Sequence, residues 1–315
     1  MTFGVEVIRQ VVNKIVRKEL RYEDVIVIGD NSSGKSELLR KLIIELDKSQ
    51  NVYFIDAVNR NFSVKDISRT GKIPAFREWI LKTRLEPEHF NLEDSFNCYG
   101  TRTERIEMIY NLFEIELQEL FCELTGKKFE LLPDNMMGEV QFPEGNGLLS
   151  SGYQAIVRIL LELLYFEKAG ETAVHSGKSW IIIDELDEFL SPRYAGKIWG
   201  FLKERFPQYY FVVTTHSSDL LVHAKDANLI ILTGEDFEVR DINDYDSGSS
   251  VRIVFDRVFG AEESKSDDIF SVLQNLLGKK INGVWSEVDD KQLKQIDMEK
   301  LSASQTLIYK QIVEW

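Results

Sequence analysis

Apolar positions set the frame of this chain. Over residues 5–20 they recur at Val5, Ile8, Val12, Ile15 and Val16, the spacing of a helix. Residues 25–28 are instead an unbroken β-branched run, as in a parallel strand buried on both faces. Helical spacing returns at Leu38, Leu39, Leu42, Ile43 and Leu46, and residues 52–55 read as the next strand. Strand, helix, strand predicts an α/β fold with a mainly parallel central sheet.

The pattern then changes. Residues 62–125 read as a mainly helical insert, clearest where Ile106, Ile109, Phe113, Leu117, Leu120 and Phe121 share a face. A hairpin is predicted over 129–142, with a turn at 143–147 and a long helix from Ser150 or Ser151. Buried strands follow at 180–183, 209–214 and 229–233, the last turning into 237–242, with a helix over 195–205. The expected organisation is a core of residues 1–61 and 126–260, the insert at 62–125, and a helical C-terminal extension at 261–315.

Composition narrows the function classes. The 315 residues hold 38 Lys and Arg against 52 Asp and Glu, a formal charge of −14, which argues against coating nucleic acid by bulk charge. Two cysteines, Cys98 and Cys122, cannot alone form a four-ligand zinc site or a disulfide framework. No segment reads as a membrane span or an export signal, so a cytoplasmic protein without a membrane partner is expected.

The chemistry concentrates at strand ends. Gly29-Asp-Asn31-Ser32-Ser33-Gly34-Lys35-Ser36 matches the P-loop pattern, between a buried strand and a helix. Backbone N–H groups of such a loop and the helix N-terminus hold a triphosphate, Lys35 reaches its β- and γ-phosphates, and Ser36 ligates Mg²⁺. The strand at 180–183 ends in Asp184 and Glu185. Alone that ending is as well a solvated loop; beside a P-loop, Asp184 suits the Mg²⁺ and Glu185 the attacking water. Asp187 and Glu188 read equally as a solvated turn. Leu149-Ser150-Ser151-Gly152-Tyr-Gln154 opens a long helix, a second place for an anion or only a capped helix start. His216 ends another buried strand, where it would donate to a phosphate or a water.

In this order the four elements resemble the nucleotide-binding domain of ABC-type ATPases. Residues 29–36 stand as Walker A, 149–154 as the signature, 181–185 as Walker B and His216 as the switch histidine. The chain looks less like a transporter subunit than like the soluble RecF/SMC/OLD-related group, on the LSSGYQ signature, on Leu190-Ser-Pro192 after Walker B and on Thr214-Thr-His-Ser217.

The resemblance implies an ATP- and Mg²⁺-dependent ATPase in which two copies sandwich two nucleotides. Each ATP would lie between one copy's Gly29, Asn31, Ser32, Ser33, Gly34, Lys35 and Ser36 and the other's Ser150, Ser151, Gly152 and Gln154. Ser36 and Asp184 would hold the metal, and Glu185 and His216 would act in catalysis. It departs from the pattern in three places, the last being the short interval between Ser36 and Ser150. Antiparallel strands before the P-loop are not evident, leaving Tyr22 as a candidate to stack on adenine, and Asn59 is the candidate for the glutamine-loop position.

The interval from Ser36 to Ser150 is too short for a long coiled coil, and Glu235 lies too near Asp244 and Asp246 for a nuclease fold between them, so residues 244–250 read as a solvent loop. The expected function is an ATP-driven dimerising switch acting on a separate effector protein, in prokaryotic anti-phage defence. A DNA-end-binding repair ATPase, using a basic patch of Arg60, Lys65, Arg69, Lys72, Arg77, Lys82 and Arg84, is the alternative, and a transporter ATPase subunit a third.

Overall fold

A computed structural model of the chain describes residues 4–47, 52–57, 60–67, 85–86, 90–91, 96, 105–132, 138–170, 178–245 and 247–259, with 272–273, 276, 279–280, 285–294, 296, 309 and 312–313 beyond them. Two compact units are distinguished, Met1–Val251 and Arg252–Trp315.

In the first unit a six-stranded sheet is built from β1 (Val25–Gly29), β2 (Val52–Ile55), β6 (Ser179–Ile183), β7 (Tyr209–Thr214), β8 (Asn228–Leu232) and β9 (Phe237–Asp241). Their order is β2-β6-β7-β1-β8-β9, and every pairing is parallel except that of β8 with β9. The fold is therefore α/β with a mainly parallel central sheet, as the strand runs predict. The apolar runs end up where their composition demands, since β1, β2 and β8 are buried at every position. Each such Ile or Val side chain contributes about 1.5–3 kcal/mol by leaving water.

Helices complete the layers. The helix α1 (Val5–Val16) inserts Ile8, Val11, Val12 and Ile15 into the core that also holds Leu38, Leu39, Leu42 and Ile43 of α2 (Lys35–Leu46). No strand precedes β1 among the described residues; α1 takes that place. The insert contains α3 (Tyr110–Thr125), which packs on α4 (Ser151–Gly170). The hairpin region forms a small antiparallel sheet of β3 (Glu130–Leu131), β4 (Val140–Phe142) and β5 (Gly145–Gly147). The helix α5 (Pro192–Arg205) starts after Ser191 with proline in its first turn, and it packs on α6 (Ser218–His223).

One boundary differs from the sequence reading. Residues 244–250 look like a solvent loop, yet a helix, α7 (Gly248–Phe259), begins inside them. The Ser247 hydroxyl accepts from the Ser250 N–H at 3.3 Å and caps a start that the small polar residues conceal. In the second unit Leu273, Leu276, Leu293 and Ile312 form a core of their own, with Leu293 on α8 (Glu287–Lys294). Of the expected extension, residues 261–271, 274–275, 277–278, 281–284, 295, 297–308, 310–311 and 314–315 lie outside the described residues. Among the described residues no helix is long and apolar enough to cross a membrane.

Candidate functional site

Parallel pairing brings the carboxyl ends of β1, β6 and β7 to one edge of the sheet, where open α/β sheets receive ligands. The loop after β1 is shaped by steric necessity. A Cβ on Gly29 would sit 2.3 Å from the Ser33 Oγ and 2.7 Å from the Leu232 carbonyl oxygen, so only glycine fits. Gly34, the residue before α2, has φ +98°, which glycine adopts without cost. Asn31 and Ser32 are exposed, and the Asn31 N–H is held by Asp30 Oδ1 at 2.6 Å. Lys35 is buried at the mouth of the loop, its ammonium donating to the Gly29 and Asp30 carbonyls at 2.6 and 3.2 Å. Burial pulls its pKa below the usual lysine value, while Asp184, Glu185 and Asp30 push the other way.

The acids at the end of β6 face this loop. The Ser36 hydroxyl lies 3.5 Å from Asp184 Oδ2, and the Asn91 amide nitrogen donates to the same oxygen. The Thr214 hydroxyl donates to Asp184 Oδ1 and accepts from the Glu185 N–H at 2.7 Å. Beneath them the guanidinium of Arg60, 2% exposed, donates to the Asp184 carbonyl at 2.7 Å. Glu185 has φ +50°, a conformation that costs a non-glycine residue about 1–3 kcal/mol and persists where its surroundings enforce it. Its carboxyl is pushed above the ordinary glutamate range, first by burial and then by Asp184 and Glu188, against the pull of Lys35.

His216 follows β7 and is half-buried. Burial, then the nearby Lys35 charge, lowers its pKa, which favours the neutral imidazole at pH 7. The Thr215 hydroxyl donates to Asp187, tying the loop after the acids to the end of β7. Asp187 thus has a structural tie that its sequence setting leaves open.

The signature stretch sits elsewhere in the same unit. Ser150 and Ser151 are exposed at the start of α4, with the Ser150 Oγ accepting from the Tyr153 N–H at 3.3 Å. Both ends of the Gln154 amide are engaged within the chain, donating to the Leu149 carbonyl at 2.8 Å and accepting from the Phe62 N–H at 3.2 Å. This side chain fixes the helix start, and it could meet a ligand only after losing those bonds. Gly152 lies against the loop after the acids, because a Cβ there would be 2.9 Å from the Phe189 carbonyl oxygen.

The remaining candidates separate clearly. Tyr22 precedes β1, at the opposite end of that strand from the P-loop, with its hydroxyl donating to Asp241 and accepting from Asn243 at 3.2 and 3.0 Å. It is not placed to stack on a base. Arg60 is removed from any surface patch by its burial, and Asn59, Asp246, Arg69, Lys72, Arg77, Lys82 and Arg84 lie outside the described residues. Sequence reasoning missed Asn91, Thr214 and Arg60 as neighbours of Asp184. Only Thr214, within the Thr-Thr-His-Ser run, carried any signal.

The donor set suits a small hard cation. Ser36 and Asp184 present a hydroxyl and a carboxylate 3.5 Å apart, and the Asn91 amide nitrogen holds the same carboxylate oxygen in place. Oxygen ligands with room left for phosphate and water are what Mg²⁺ takes.

No family model matches the chain. Among curated proteins it is similar to Septu protein PtuA of Bacillus thuringiensis, 26% identical over 196 residues, covering 58% of this chain and 44% of the relative. It is also similar to Septu protein PtuA of Bacillus mycoides (strain KBAB4), 26% identical over 172 residues, covering 48% of this chain and 24% of the relative. The chain spans less than half the length of these curated relatives. Among solved structures it is similar to the SMC head domain from Thermotoga maritima, with TM-score 0.31 and 17% identity over 43% of this chain and 49% of that one. A second likeness is to the ADP conformation of an ATP-binding cassette of an ABC transporter, with TM-score 0.39 and 17% identity over 75% of this chain and 85% of that one.

Proposed function

We propose that this chain binds and hydrolyses ATP as an ABC-type ATPase, and that two copies close over two nucleotides as a switch controlling a separate effector protein in prokaryotic anti-phage defence. One observation carries the ATPase reading. Lys35, Ser36, Asp184, Glu185 and His216, scattered through the sequence, meet at one sheet edge, where Ser36 lies 3.5 Å from Asp184 and the Lys35 and Asp184 charges act on both Glu185 and His216. The likeness to the two Septu PtuA proteins supports the defence role.

In this reading the loop 29–34 and the N-terminus of α2 cradle the phosphates, and the Lys35 ammonium exchanges its carbonyl partners for phosphate oxygens. Ser36 and Asp184 are the residues that would hold Mg²⁺, which when bound offsets the charge developing between the β- and γ-phosphates. Glu185, more basic than an ordinary carboxylate, takes the proton of the attacking water, and the neutral His216 donates a hydrogen bond to the γ-phosphate. The exposed Ser150 and Ser151, with the half-buried Gly152, cover the nucleotide of the second copy and exclude water from it.

Glu185→Gln is the test, because it keeps the shape of the site and removes the base. Light scattering is expected to show a dimer with ATP and Mg²⁺ and a monomer without them. A monomer under both conditions refutes the switch. Lys35→Ala is expected to abolish ATP binding in a filter or fluorescence assay, and unchanged affinity would show the nucleotide to lie elsewhere.

A further inference from the structure

We infer that Arg60 is a positioning residue for catalysis, its buried guanidinium holding the peptide that joins Asp184 to Glu185 and so fixing the direction of the Glu185 carboxyl. The inference rests on the ATPase reading above, in which Glu185 takes the proton of the attacking water, and extends it to a residue outside every motif of that reading.

The peptide unit between the two acids is gripped at both ends. Its carbonyl oxygen accepts from the Arg60 guanidinium at 2.7 Å, and its N–H donates to the Thr214 hydroxyl at 2.7 Å. The next peptide is held too, because the Leu186 N–H donates to the Thr214 carbonyl at 3.0 Å and the Glu185 carbonyl accepts from the Glu188 N–H at 3.0 Å. With both flanking planes fixed, the backbone of Glu185 keeps its left-handed φ of +50°. A glutamate leaves that region unless its surroundings hold it. Leaving would turn one of the two planes and break its bonds, where Asp184, Leu186 and Thr214 are all buried and water cannot replace them. Of these four bonds, only the one from Arg60 is made by a residue outside β7 and the loop itself.

Arg60 is kept in the core against its own solvation. It is almost wholly shielded, and its Nε and Nη1 have no hydrogen-bond partner. Burial lowers its pKa, and Asp56 and Glu162 pull the other way. An apolar side chain of similar volume is commonly as stable or more so in such a place, so cohesion of the core does not account for a guanidinium here. The segment that carries it is anchored, with the Phe62 N–H donating to Gln154 Oε1 at 3.2 Å and the Ser63 N–H to Glu107 Oε1 at 2.8 Å. The guanidinium therefore reaches the acids from a fixed base.

Two variants test the inference. Arg60→Lys keeps a positive charge near Asp56 on a side chain one atom shorter, and Arg60→Met with Asp56→Asn removes the charge and its nearest counter-charge together. Thermal melting verifies the fold, a fluorescent ATP analogue measures binding, and single-turnover hydrolysis with enzyme in excess measures the chemical step. In each variant the hydrolysis rate is expected to fall about 10–100-fold, the loss that follows a misplaced base, with ATP affinity within about twofold of wild type. The same substitutions are then made in Glu185→Gln, where no carboxylate remains to be aimed. There they should change the residual rate by less than about twofold, because residues that act through one another are not additive. A wild-type rate in both variants overturns the inference and leaves the ATPase reading intact. An equal further loss in the Glu185→Gln background also overturns it, by showing that Arg60 acts on the site as a whole and not through Glu185. Loss of the folded state in both variants overturns it as well, by making Arg60 a residue of the fold alone. Failure of wild type to hydrolyse ATP refutes the ATPase reading itself.

Discussion

Thr214 holds both acids of the site at once, through a hydroxyl that donates to Asp184 and accepts from the Glu185 N–H. It is fully buried, so neither bond competes with water. Thr214→Val keeps the shape and deletes both, leaving the left-handed Glu185 without its tether. ATP hydrolysis is expected to fall about 10–100-fold while KM moves little, the cost of misplacing a base by a fraction of a bond length. Thr214→Ser should recover most of the rate, and phosphate release under steady state is the measurement. This residue also shows why part of the site is illegible in the sequence. A threonine at the end of a β-branched strand is what any strand end offers, and apart from its place in the Thr-Thr-His-Ser run nothing local tells a clamp from a strand former. Asn91 and Arg60 are further removed still, because they reach Asp184 through tertiary packing with no spacing to betray them. Lys35 and Ser36 could be read because a fixed spacing between strand and helix is itself the signal, and Asp184 because it ends an apolar strand in a chain that carries that signal.

Among the elements, the start of α4 and the loop after β6 are locked by contact of backbone on backbone. A Cβ at Gly152 would meet the Phe189 carbonyl oxygen at 2.9 Å, and a main-chain atom cannot swing aside as a side chain would. Gly152→Ala must therefore displace either the helix start or the loop that ties back to β7 through Asp187 and Thr215. Nucleotide binding by the single copy, read in a fluorescence assay, should survive, and dimer formation in the Glu185→Gln background, read by light scattering with ATP, should weaken. Further along α4, Arg158 and Glu162 form an ion pair at 2.9 Å with both side chains at most 2% exposed, and Tyr53 of β2 donates to Glu162 at 3.0 Å. Breaking such a pair from one side costs about 3–5 kcal/mol, so Glu162→Gln should lower the melting temperature by several degrees or more. The helix itself was legible, since over residues 155–166 apolar positions far outnumber the two charged ones, Arg158 and Glu162. That those two charges neutralise each other inside the core was not, because i,i+4 pairs on surface helices read the same way. The start of α7 was hidden for the opposite reason, a serine cap that resembles a loop.

At the scale of the molecule, charge separates the switch from the DNA-bound alternative. Each copy carries a formal −14, and closing two copies brings like charge together. Salt shortens the range of that repulsion, to a Debye length of about 8 Å at 0.15 M, so nucleotide-dependent dimerisation should strengthen between low and moderate ionic strength. Binding to a duplex runs the other way, because each phosphate contact releases counterions and weakens with salt. The patch on which a DNA role would rest has lost Arg60 to the interior, where its guanidinium supports Asp184. Sizing the Glu185→Gln chain with ATP and measuring its retention by duplex DNA across one salt series puts the two readings on opposite slopes. A dimer fraction that rises with salt, with no DNA retention and no stimulation of ATP turnover by DNA, is the expected outcome. Retention that is tight at low salt and falls steeply would transfer the site's ATP chemistry to a nucleic-acid partner.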